Sequence, residues 1–76
     1  MMRDEDGGAP LGRYANYFEV GHNECEFLLD FGQFYPESEG VRVHTRIITG
    51  PTYAKALLRT LLDSLQTYER TFGAIE

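Results

Sequence analysis

Hydrophobic and polar positions change their period once along this chain, from about two to about 3.6, and that change predicts the order of elements. Aromatic and β-branched residues dominate "YANYFEV", residues 14–20, and "CEFLLDF", residues 25–31, at near-strict alternation, so both read as strands. In the second, Cys25, Phe27, Leu29 and Phe31 share one face, while Glu24, Glu26, Leu28 and Asp30 share the other. In the first, Phe18 and Val20 lie opposite Tyr17 and Glu19. Between them, "GHNE" supplies Gly21 and Asn23, which tolerate positive φ, and predicts a tight antiparallel hairpin.

"GQFYPESEG", residues 32–40, carries Pro36 between two glycines and reads as a longer surface loop. The next segment, "VRVHTRIIT", alternates again, with Val41, Val43, Thr45 and Ile47 on one side and Arg42, His44, Arg46 and Ile48 on the other. Three strands on short connections make an antiparallel meander.

From residue 50 the spacing becomes helical. Ala54, Leu57, Leu58, Leu61, Leu62, Leu65, Tyr68 and Phe72 fall at i, i+3, i+4, i+7 positions. Gly50 suits the N-cap and Pro51 the first helical position, where its missing N–H is no loss. Arg59 and Asp63 can pair at i, i+4 on the wet side. Gly73 suits the residue after the C-cap, with Ile75 folding back onto the last turn.

The expected fold is therefore α+β: a three-stranded antiparallel meander followed by one long C-terminal amphipathic helix packed on one sheet face. Residues 1–12, acidic and glycine-rich, are expected to be a disordered lead, and residues 13–76 a single β-β-β-α domain. The face bearing Phe18, Val20, Phe27, Leu29, Phe31, Val43 and Ile47 needs a cover, and within the chain only the helix stripe offers one. Tyr17, Leu28 and Ile48 then remain on the opposite sheet face, and Leu57 and Leu62 widen the stripe beyond what three strands require. These five are the candidate interface residues of a homo-oligomer, a dimer or higher, which would also occupy the open sheet edges. The plainer account of the same residues is scattered surface apolars.

Size strengthens the case for association. A chain of 76 residues hides only about 60 % of the surface that its unfolded form exposes, and Cys25, the single cysteine, provides no disulfide. A lone thiol, the missing signal-peptide segment in "MMRDEDGGAPLG" and the lack of a membrane-spanning apolar run lead to the expectation of a cytoplasmic protein without a membrane partner.

Charge shapes the list of partners. Acidic residues outnumber Lys and Arg by 12 to 7, for a net charge of −5, which argues against nucleic acid as a partner. Arg42, His44 and Arg46 on one strand face form a candidate anion or nucleic-acid stripe, but Glu24, Glu26 and Asp30 face them and would cancel much of its field. A nucleic-acid-associated regulator using that stripe is the alternative function.

No catalytic, cofactor-binding or metal site is expected. His22, Glu24 and Cys25 cluster near the first hairpin, yet one Cys and two His do not make metal-ligand spacing, and Cys25 is expected on the inward face. The loop around Gly32, Tyr35, Pro36 and Gly40 is a weak recognition candidate.

The run "YANYFEVGHNECEFLLDFGQ", followed by "RIITGPTYAKALLRTLLDSLQTYERTFGAI", resembles the short prokaryotic proteins of domain-of-unknown-function family 3467 (DUF3467). The start around Tyr14, Ala15 and Asn16 is similar, as are a Phe-Leu-x-Phe-Gly stretch matched at Leu29 to Gly32 and a Pro-x-x-Ala-Lys helix opening at Pro51, Ala54 and Lys55. A Tyr-Glu-x-x-Phe-Gly ending is matched at Tyr68, Glu69, Phe72 and Gly73. The resemblance covers nearly all of the chain beyond residue 12 and implies a strand–strand–strand–helix unit. It brings no catalytic residues; the acidic lead and Cys25 fall outside its pattern. In outline the subunit also looks similar to export chaperones of the SecB type, which adds client-peptide binding as an option by fold analogy alone. The function expected is thus a small non-enzymatic homo-oligomeric interaction or scaffold protein with a possible protein or peptide partner.

Overall fold

The computed structural model describes residues 8, 10–38 and 40–76. It contains strand β1 (Tyr17–His22), strand β2 (Phe27–Tyr35), a short 3-10 turn (Pro36–Ser38), strand β3 (Gly40–Thr49) and helix α1 (Pro51–Phe72). The strands form one antiparallel sheet in the order β1-β2-β3. The α+β class, the meander and the C-terminal helix are those that the alternation and the helical spacing predict. Most of the expected N-terminal lead, residues 1–7 and 9, lies outside the described residues; Pro10 to Asn16 carry neither helix nor strand.

Two boundaries differ from expectation. Strand β2 runs four residues further, to Tyr35, so most of "GQFYPESEG" is strand and only Pro36–Ser38 turns. The first hairpin closes later, with Asn23 N–H donating to the Glu26 carbonyl (3.0 Å). The Asn23 side-chain oxygen accepts from the backbone N–H of Cys25 and of Glu26, both at 2.8 Å. Cys25 therefore sits in an exposed turn and not on an inward strand face, because the asparagine claims the backbone donors that a strand would have used.

The register shifts once. Phe31 lies opposite Thr45 but Gly32 lies opposite Val43, so His44 is an extra residue on β3. One inserted residue moves everything beyond it to the other face. Val43 and Val41 consequently leave the Ile47 side and join the face of Leu28, Asp30 and Ile48, which corrects the single apolar face drawn from alternation. The bulge is pinned from both ends. Arg13 Nη1 donates to the His44 carbonyl (3.2 Å), and the His44 ring meets the Tyr14 carbonyl through Nε2 (3.0 Å) and Thr45 Oγ1 through Nδ1 (2.7 Å). Because β1 and β3 flank β2, these bonds carry the chain upstream of Asn16 across the sheet, over Phe31 and Thr45.

The main correction concerns α1. It does not lie on the sheet: the strands pack extensively on each other, but no strand packs extensively on the helix, and α1 has no buried residue. Its caps are as expected, with Pro51 at the start and Gly73 at φ 102 after the end, donating to the Glu69 carbonyl (2.9 Å). The cause of its departure is the connection. Only Gly50 separates β3 from α1, and it is extended (φ −85, ψ 164). Doubling a helix back over its own sheet takes a loop of several residues. The radius of gyration, 15.1 Å, exceeds the roughly 11 Å expected of a compact chain of this length.

Candidate interaction surface

No hydrophobic side chain among the described residues is buried. Three apolar surfaces are left open, and the candidate residues fall on them.

The first is the helix stripe. Leu57, Leu58, Leu61, Leu62, Leu65, Tyr68 and Phe72 all stand 40–72 % exposed. Leu57 and Leu62 are five residues apart, so at 3.6 residues per turn they bracket the stripe on its two flanks. Leu61, Ser64, Leu65, Tyr68 and Ile75 line a shallow groove along it. Ile75 is brought there by the turn at Gly73, with its N–H donating to Glu69 Oε2 (2.9 Å).

The second is the sheet face of Phe18, Val20, Phe27, Leu29, Phe31 and Ile47. Phe18 and Phe31 meet edge to face with centroids 5.8 Å apart, and His22 stacks on Phe27 at 5.2 Å. His22 is thereby engaged with an aromatic ring and not with Glu24 and Cys25. Among the described residues no group of three or more His, Cys, Asp or Glu side chains is placed to hold a metal ion.

The third is the opposite face. Leu28 pairs with Ile48, and Tyr17 lies opposite Gly32. A polar belt separates them: Asp30 takes a two-pronged ion pair from Arg46, with Nε and Nη2 each 2.8 Å from a carboxylate oxygen, and Glu19 lies opposite Asp30 on β1. Tyr17 donates its hydroxyl to Glu19, a bond that raises the Tyr17 pKa. Beyond the belt, Phe34, Val41 and Val43 join Tyr17; alternation alone placed the valines on the other face. A glycine inside an alternating strand is the one local sign of such a bulge.

The Arg42, His44 and Arg46 stripe is not assembled. The bulge puts Arg42 and Arg46 on opposite faces, His44 is engaged by Tyr14 and Thr45, and Arg46 is neutralised by Asp30. Tyr35, Ser38, Gly40, Val41 and Arg42 line an open depression at the β2–β3 turn, the place of the expected recognition loop.

No helix of the described residues is long and apolar enough to cross a membrane. No curated protein and no solved structure matches the chain. A family model does match, over residues 6–76, and with nearly the whole length covered the chain belongs to the DUF3467 family of proteins of unknown function.

Proposed function

We propose that the chain is a small, non-enzymatic interaction protein of the cytoplasm that works as a homo-oligomer and presents protein- or peptide-binding surface. The observation that carries this reading is the missing core: every large apolar side chain of α1 stands at least 40 % exposed, and the sheet has one buried charge and no buried hydrophobe. Fixing the backbone costs about 1–2 kcal/mol per residue, and apolar burial, roughly 1.5–3 kcal/mol for each large side chain, is the term that offsets it. A lone copy leaves much of that term unused, with the α1 leucines 40–64 % exposed. A second copy of the same chain is a partner present wherever the chain is made, and association is a usual remedy for scaffolds of this size.

The nucleic-acid reading draws less support, since the three side chains it requires are divided between two faces and one is paired with Asp30.

Sedimentation velocity over a range of micromolar concentrations tests the proposal. Association is expected, together with a melting midpoint that climbs with protein concentration because folding and assembly are linked. A monomer of 8.7 kDa with a concentration-independent midpoint would refute it.

A further inference from the structure

Within the exposed stripe of α1, one subset keeps a stricter spacing. Leu58, Leu61, Leu65, Tyr68 and Phe72 follow one another at intervals of three, four, three and four residues. That is the 3.5-residue repeat of a helix–helix seam, narrower than the face a helix turns to a sheet. The groove lined by Leu61, Ser64, Leu65 and Tyr68 has the i, i+3, i+4, i+7 shape of a hole that receives one side chain of a facing helix.

We infer that α1 pairs antiparallel with α1 of a second copy about a two-fold axis near residue 63. This deepens the self-association proposed above and rests on it. The direction comes from charge. With Leu58, Leu65 and Phe72 at the a positions, Lys55 and Glu69 occupy e positions, which face each other only in an antiparallel pair. Lys55 of one copy then meets Glu69 of the other, twice by symmetry, and Leu61 of the second copy enters the Leu61–Tyr68 hole. A parallel pair would leave Lys55 without an acidic partner, since an e position then meets the g position five residues earlier, which is Gly50. The two flanking positions nearest the axis are Leu62, apolar against itself, and Ser64, small enough for close approach. The available area agrees: the half-exposed stripe offers on the order of 800 Å² per copy, the size of a standard stable interface. The one-residue connection at Gly50 holds α1 clear of its own sheet and so leaves the stripe free.

The test uses the full chain with Cys25→Ser and Thr52→Cys, spin-labelled at the exposed position 52, and measures the distance between labels. An antiparallel seam centred near residue 63 separates the two sites by about 33 Å along the axis at 1.5 Å per residue. A parallel pair brings them to about 10 Å. In unlabelled protein, Lys55→Glu and Glu69→Lys are each expected to weaken association on the order of tenfold, and the two together to restore it. Recovery in the combined variant is the decisive reading, because losing the Glu69–Ile75 bond cannot imitate it. A monomer removes both this inference and the reading beneath it. An oligomer with labels near 10 Å apart, or one indifferent to charge reversal at 55 and 69, overturns the helix pairing alone.

Discussion

Arg46 grips Asp30 across β2 and β3 through two bonds of 2.8 Å, and Asp30 is the single buried charged residue among those described. The hydrogen bonds from Arg46 lower the Asp30 pKa below its ordinary 3.8; desolvation opposes this and the guanidinium charge adds to it. A carboxylate with a depressed folded pKa adds stability above its unfolded value, and that part disappears as pH falls through the folded value. The acid-sensitive window therefore opens just below pH 4. In Arg46→Gln, the Asp30 carboxyl resonance is expected to titrate at or above the ordinary value, and unfolding at neutral pH to become easier. An unchanged Asp30 titration would show that the pair is not formed in solution.

Gly32 sits where the bulge brings β3 closest. A Cβ at this position would clash with the Arg42 carbonyl oxygen and stand 2.9 Å from the Val43 Cα, both backbone atoms that cannot turn aside. Gly32→Ala is expected to destabilise by roughly 1–3 kcal/mol, as overpacking does, and to perturb the amide resonances of Val43 and His44 first. A neutral result in chemical denaturation would mean that the ladder slips easily at the bulge.

Besides its backbone bond to the Glu26 carbonyl, Asn23 closes the first hairpin with its side-chain oxygen, which accepts from the N–H of Cys25 and of Glu26. At about 0.5–1.5 kcal/mol for each of the two bonds, Asn23→Ala is expected to lose about 1–3 kcal/mol, whereas Asn23→Asp retains the acceptor. Thermal melts of the two variants at equal concentration separate acceptor from backbone effects, since both replace the same residue.

The thiol of Cys25 is exposed in that turn. It is expected to react at one equivalent per chain with an aromatic disulfide reagent in native buffer. A thiol that reacts only after denaturation would place Cys25 under a partner subunit.

Local chemistry was legible without coordinates. Proline and glycine bracket α1 where backbone rules put them, and the alternating runs are strands because their side chains suit a pleated surface. Where the strands stop was less legible: Phe34 and Tyr35 extend β2 through a segment whose proline and glycines suggest a loop, since pairing with β3 outweighs the local preference. His44 shows the limit most plainly, because an extra residue in a ladder exists only relative to the strand opposite, and it divides Val43 from Ile47 and Arg42 from Arg46.

By itself, then, the order of residues determined the elements, their sequence along the chain and the presence of a wide apolar stripe on α1, because these follow from side-chain periodicity and backbone preference. What that stripe faces was decided only in three dimensions. One extended residue at Gly50 sets the direction in which α1 leaves β3, and an exit direction is a property of joined elements that neither element's pattern contains.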